Sequence, residues 1–223
     1  MTDHVLERLI SSGQLEELHT LIATDAGAAA YEAGEGVKAA LAAALAEKTG
    51  RQVLAVSASQ GGTSSELWRD VLVQDAAGRL KAALEYCRKQ MIPVEHVWIL
   101  WCQGETDGDH AVSAEEYKKN FQMIWSEMKS AGAETCFLFQ IGHFNYVKHP
   151  EGLYGLSGQE LDAQYQVIRT AQEQICRDCK DVVWAASFEQ YLHGMKDHFH
   201  YRQQVYHEVG ESAAEVVSKA VEN

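Results

Sequence analysis

The stretch His96-Val-Trp-Ile-Leu-Trp-Cys-Gln-Gly-Glu-Thr-Asp107 decides the fold. From Val97 to Cys102 it is apolar or aromatic at every position, the pattern of a strand buried on both faces. It then turns polar within one residue, and two acids, a glutamine and a glycine crowd the strand end. Working outward, Val53–Ala58, Thr135–Ile141 and Asp181–Ala186 repeat the short apolar, β-branched theme. Between and around them lie longer amphipathic segments, Gly36–Thr49, Asp75–Gln90, Ser113–Ala131, Gly158–Cys179 and Arg202–Val221, which read as helices.

Several boundaries have a mechanism. Ser113 with Glu116 forms a capping-box pattern ahead of Tyr117, Phe121 and Ile124, which share one helical face. Gly50 can supply the left-handed turn that closes the first helix. Near-continuous apolar strands alternating with helices predict an α/β domain whose parallel sheet is covered on both faces. Ligands of such sheets bind beyond the carboxyl ends of the strands, so the chemistry is sought there.

The 223 residues fit one domain, 1–223, with room for a sizeable core. The chain contains two prolines, Pro93 and Pro150, and no repeat or low-complexity linker. A formal charge of −13 and the lack of a long basic run argue against nucleic acid or an anionic membrane as partner. No stretch has the roughly 18 apolar residues of a membrane span, and the charged N-terminus lacks a signal-peptide core. The chain as given therefore reads as cytoplasmic, or as exported if it is a piece of a longer protein.

The five cysteines are an odd number. Cys102 and Cys136 lie in apolar runs and read as small core residues. Cys176-Arg-Asp-Cys179 closes a helix instead of opening one, unlike a redox dithiol, and a zinc site would need a second pair.

Three strand ends carry polar signatures. Ser57-Ala-Ser-Gln-Gly-Gly-Thr-Ser-Ser-Glu-Leu-Trp68 holds the paired glycines Gly61 and Gly62, which suit an oxyanion site or a tight turn capped by Thr63 or Ser64. In the second, Gln103 could offer an amide donor and Glu105 could hold Gln103 or a loop in place, or the segment is a solvated loop. The third is Lys196-Asp-His-Phe-His-Tyr201. There Asp197 and His200, three apart in a turn, can form an orienting carboxylate and a base. The same segment also reads as a surface histidine cluster, or as a metal pair His198-x-His200 completed by Asp197, His193 or His207.

Taken in order, Gly61-Gly62-Thr63…Trp68, Gln103-Gly104-Glu105-x-Asp107 and Asp197-x-x-His200-Tyr201 with Gly210 following resemble the sialate O-acetylesterase and acetyl xylan esterase branch of the SGNH hydrolases. The likeness runs from about Val53 to the C-terminus. It implies a flavodoxin-like three-layer α/β/α fold with a mostly parallel five-stranded sheet. It also implies serine esterase chemistry without metal or other cofactor, and acetylated saccharides as substrates. His200 would be the base and then the acid, Asp197 its partner, and Gly61 or Gly62 with Gln103 the oxyanion donors. The serine's own N–H supplies a further donor in the family. Glu105 and Asp107 would support the site.

The family's opening Gly-x-Ser-Asn type turn is missing, and two readings compete. In one, His19–Ala23 is the opening strand and Thr24-Asp-Ala-Gly27 stands at the nucleophile turn, placing Ala26 in the serine's position, 35 residues before Gly61. In the other, Asp3–Ile22 is helix and the block belongs to a missing N-terminal segment; in either case residues 1–18 read as an N-terminal helix. Ser57, Ser59 and Ser12 are weaker nucleophile candidates. If Ala26 fills the slot, the chain binds substrate and barely turns it over, and the competing reading is a non-catalytic saccharide-binding domain on the same fold. Phe144, Tyr146 and Tyr154 in the loop after Thr135–Ile141, and Trp68, could stack on a sugar ring or simply fold their loops down.

Overall fold

The computed structural model describes residues 37–221 in full and the backbone of Leu18–Thr24. Five strands form one parallel sheet in the order β2-β1-β3-β4-β5. They are β1 (Leu18–Thr24), β2 (Val53–Ser57), β3 (Val94–Trp101), β4 (Thr135–Gln140) and β5 (Val182–Ser187). The helices are α1 (Val37–Thr49), α2 (Val73–Lys89), α3 (Glu105–Asp109), α4 (Ala114–Ser130), α5 (Gly158–Asp178) and α6 (Gln203–Val221). A single turn, Ser65–Leu67, and a π-helical turn, Trp68–Leu72, lead into α2.

Strand alternation separates two cores. Leu54, Val97, Ile99, Trp101 and Leu138 pack with Leu80, Phe121, Tyr165 and Ile168, residues of α2, α4 and α5. Trp98, Leu100, Phe137 and Phe139 face the other way, against Leu41 of α1 and Val205 and Val209 of α6. Both sheet faces are thus buried, which explains why β3 shows no polar alternation beyond His96.

The strand Leu18–Thr24 settles the choice between the two N-terminal readings as far as secondary structure goes. It pairs with β2 and β3 at once, Thr24 lying opposite Ser57 on one side and Leu100 on the other. Helix through Ile22 is therefore incorrect: a central strand here completes hydrogen bonds that β2 and β3 would otherwise leave open. The helix expected over 1–18 lies outside the described residues except for Leu18, which is strand. Ala26 and Ser12 also lie outside them.

The helix ends follow the local signals in part. Gly50 has φ +66° and donates its N–H to Ala46 O at 2.9 Å, closing α1. Ser113 Oγ accepts from Glu116 N at 3.2 Å, but the Glu116 carboxylate turns to Arg69 instead of back to the cap. The complete reciprocal box is at Ser157 and Glu160, ahead of α5. Among the described residues no helix is long and apolar enough to cross a membrane. Burial pushes the Cys176 thiol up to about 12, the reverse of an activated redox cysteine.

Candidate active site

Three loops leave the carboxyl ends of β2, β3 and β5. After β2 the chain turns at the exposed pair Gly61-Gly62, with Gly62 at φ +68°, where a side chain would be strained. Their N–H groups make no hydrogen bond to any described residue and are open to a ligand. Thr63 Oγ1 donates to Gln60 O at 2.7 Å and accepts from Trp68 Nε1 at 2.8 Å. The following turn is capped by Ser64, whose Oγ accepts from Leu67 N. The Ser57 and Ser59 hydroxyls lie 3.3 Å apart, each in reach of the other.

After β3, Gly104 takes φ +147°, and a Cβ there would come within 2.8 Å of Ile168 Cγ2. Replacing Gly104 with alanine should therefore cost about 2–4 kcal/mol from backbone strain and overpacking together. A thermal melt should show the transition lowered by roughly 5–15 °C. An unshifted melt would mean that the turn relaxes without cost.

This turn carries Gln103 into a buried position, 4% exposed. The Gln103 carbonyl is fixed by Tyr117 Oη at 2.7 Å and Gln172 Nε2 at 2.9 Å. Its side-chain Nε2 donates to Thr63 O at 3.0 Å and to an Asp107 carboxylate oxygen, so both amide hydrogens are engaged. Asp107, 0% exposed, also accepts from Ser65 N at 2.9 Å and Ser65 Oγ at 2.5 Å. Burial pushes the Asp107 carboxyl up, partly offset by these donors. Asn120 Nδ2 donates to Ser65 Oγ at 3.0 Å and Arg69 Nη1 to Asn120 Oδ1 at 2.6 Å, extending the network to α4. It is therefore Asp107, not Glu105, that holds Gln103. Burial also pushes the Glu105 carboxyl up; Asp109 and Asp107 add to the shift, and His200 opposes it.

After β5, the turn Lys196–His200 wraps around the Asp197 carboxylate. Asp197 Oδ1 accepts from Phe199 N at 2.9 Å and His200 N at 2.7 Å. The His200 Nδ1 lies 3.0 Å from both carboxylate oxygens. Burial raises the Asp197 carboxyl, but the hydrogen bonds from Phe199 N, His200 N and the His200 ring outweigh it and hold it below its ordinary value. A carboxylate only accepts, so Nδ1 carries a proton, and in the neutral ring Nε2 then holds the lone pair a general base needs. Both side chains are about half exposed, open to a substrate.

The structure brings the first two signatures together through Gln103–Thr63 and Asp107–Ser65. Trp68 is only 2% exposed, set edge-on to Trp101, and Phe144 is fully buried against Tyr165 and Phe199. Neither offers a ring face to a sugar, which corrects the expectation of stacking at Trp68 and Phe144; both rings take the other role and fold their loops onto the core. Tyr146 is partly buried beside His143, and Tyr154 is exposed.

Sequence reading missed the clamp on the Asp197 turn. Buried Asn145 donates its N–H to His198 O at 3.1 Å and its Nδ2 to Asp197 O at 2.8 Å. Lys148 Nζ donates to Met195 O at 2.6 Å. A second histidine–carboxylate pair, His143 Nδ1 with Asp162 at 2.9 Å, anchors the start of the same loop. No motif marks these residues; they act by long-range contacts that spacing does not encode.

Comparison with known proteins places the chain in a family. The chain matches the family model "Carbohydrate esterase, sialic acid-specific acetylesterase" over residues 8–219. No curated protein matches it. Among solved structures it is similar to a carbohydrate esterase family 3 protein from Talaromyces cellulolyticus (10% identity, TM-score 0.62) over 92% of this chain and 98% of that one. A member of the lipolytic G-D-S-L family from Veillonella parvula (13%, TM-score 0.57) matches over 91% and 99%. An acetyl xylan esterase (11%, TM-score 0.54) matches over 88% and 99%. At these identities the likenesses show the fold alone, while the family match spans nearly the whole chain: the protein belongs to the sialic acid-specific acetylesterase family of carbohydrate esterases.

Proposed function

We propose that this chain carries the acid–base half of a carbohydrate O-acetylesterase, with Ala26 at the position of the nucleophilic serine. The observation that carries the reading is the His200–Asp197 pair, oriented by Nδ1 and open at Nε2 at the carboxyl end of the sheet. The exposed amides of Gly61 and Gly62 follow β2, the opposite edge strand from β5, out of the same end of the sheet. β1 runs between β2 and β3 and stops at Thr24, two residues before Ala26. From Asp25 to Gly36 the sequence holds no Ser, Thr or Cys.

In an acyl transfer, His200 Nε2 would take the proton of the attacking hydroxyl and return it to the departing sugar oxygen. Gly61 or Gly62 would donate to the developing oxyanion. Gln103 would join them by exchanging the Thr63 carbonyl for the oxyanion, kept in register by Asp107. Without a hydroxyl at position 26 the covalent step is missing, and only binding and electrostatic catalysis remain. The absence of Ser, Thr and Cys from that segment also favours a second reading, a domain that binds acetylated saccharides without cleaving them.

The test is p-nitrophenyl acetate hydrolysis by the parent chain beside Ala26→Ser. In that serine background, Gln103→Ala should lower turnover by roughly 10²–10³, the loss expected for one oxyanion donor. A change below about threefold would make Gln103 structural.

A further inference from the structure

Beside the acid–base pair, the loop after β4 brings two side chains against the Asp197 turn. His149 and Glu151 lie on that loop, and His198 stands between Asp197 and His200. The donor atoms of His149, Glu151 and His198 all fall within 4.8 Å of one another. The His149 and His198 rings stack at 3.6 Å with 21° between their planes, and His149 Nδ1 lies 3.2 Å from a Glu151 oxygen.

The backbone around these three is already held. His149 N donates to Asn145 O at 2.9 Å, Gly152 N to His149 O at 3.1 Å, and Gly158 N to Pro150 O at 3.0 Å. Across the gap, Asn145 N donates to His198 O, so the two ligand-bearing segments are fixed to each other. The Glu151 carboxyl is held below its ordinary value by its own N–H and by the His149 hydrogen bond, then by the charges of His149 and His198.

We propose that His149, Glu151 and His198 bind one divalent transition-metal ion of the zinc class, which braces the loop after β4 to the Asp197–His200 turn. Two imidazoles and one carboxylate are a borderline-soft donor set that selects zinc-like ions over magnesium or calcium, which prefer all-oxygen cages. Ligands at about 2.0–2.1 Å around a tetrahedron stand roughly 3.4 Å apart. Donors already within 4.8 Å reach that spacing by a turn of the rings about χ2. Both rings are partly buried and Glu151 is exposed, which leaves the remaining position to water. The ion is set apart from His200, whose Nδ1 is held by Asp197, and it takes no part in ester cleavage. The inference does not depend on which residue occupies the nucleophile position. It also revises the pairing suggested by spacing alone: His198 meets His149, not His200, while His207 pairs with Glu211 along α6.

The experiment titrates Zn²⁺ into the chelator-stripped full chain by calorimetry, with Co²⁺ absorption as the spectroscopic readout. One equivalent should bind at micromolar concentration and raise the melting temperature. His149→Ala and Glu151→Gln should each weaken binding at least about tenfold and abolish the thermal shift, while His200→Ala leaves the Zn²⁺ affinity unchanged. Circular dichroism of each variant checks that it is folded. The proposal is overturned by binding that needs millimolar Zn²⁺. It is equally overturned by undiminished binding in folded His149→Ala, which would move the ion to other ligands such as Cys176 and Cys179. Loss of binding in His200→Ala would overturn it too, by placing the ion on the acid–base pair.

Discussion

Ala26→Ser should convert a chain with almost no activity on p-nitrophenyl acetate into one that hydrolyses it at least about 10³-fold faster. The magnitude follows from how a triad works as a unit: without the nucleophile, a serine hydrolase retains only the roughly 10³–10⁴-fold advantage over water that binding and the oxyanion hole supply. The proposed reading takes its other groups from three loops at the carboxyl end of the sheet. His200 has its Nδ1 on Asp197, the Asp197 turn is clamped by Asn145, and the Gly61 and Gly62 amides are unengaged by the described residues. On that reading a restored hydroxyl would meet a base whose Nδ1 is already held by Asp197. Transient acetylation of the new serine, seen by mass spectrometry, would identify the covalent intermediate. Adding His200→Ala to the serine variant should remove the gain without moving the melting temperature much, since His200 is half exposed. Activity in neither chain would favour the saccharide-binding reading or a nucleophile block absent from this sequence. Equal activity in both would move the nucleophile to Ser59, whose hydroxyl neighbours Ser57 beside the glycine turn.

The sheet is legible because its strands are buried on both faces, so Val97–Cys102 and Cys136–Phe139 read as unbroken apolar runs. β1 was harder. Leu18, Leu21 and Ile22 fit a helical face nearly as well as a strand, and only pairing with β2 and β3 distinguishes the two. Of the site, the Asp197-x-x-His200 turn was legible since both partners are local and three residues apart. Gln103 was legible as a polar group with no reason to sit at a buried strand end, but not its direction. That direction comes from Asp107 and Thr63, one of them forty positions away. Of the two aromatic readings, the one that folds the loops down holds for Trp68 and Phe144: both sit among polar neighbours in sequence, yet each is sealed by residues distant along the chain. His149 and Glu151 were invisible as partners of His198 because only the folded loop brings them there.

Asp107→Ala is the change expected to cost the fold most for a single side chain. Its carboxylate, 0% exposed, receives Ser65 N, Ser65 Oγ and Gln103 Nε2, and so ties the turn after β2 to the turn after β3. Alanine leaves three donors facing a space their partner has vacated. A buried donor stripped of its acceptor costs about 1–3 kcal/mol, and partial rescue by water or by Ser65 rotating toward Asn120 limits the sum to roughly 3–5 kcal/mol. For a chain of this size that is a fall of about 6–20 °C in melting temperature. Asp107→Asn separates packing from charge: it fills the same space, but its amide can accept through one oxygen only and must point N–H groups at Ser65 N or Gln103 Nε2. It should therefore recover less than half of the loss. In the serine-restored chain, both variants should reduce turnover beyond what lost stability explains, because Gln103 and the Gly61–Gly62 turn lose their common anchor. Measured well below the melting transition, kcat should fall at least about tenfold, as expected when a positioning contact near the reacting atoms is lost. If Asp107→Asn matches the parent in both melting temperature and turnover, the carboxylate is a packing group, and the link between the two loops rests on Gln103 and the Thr63 carbonyl alone.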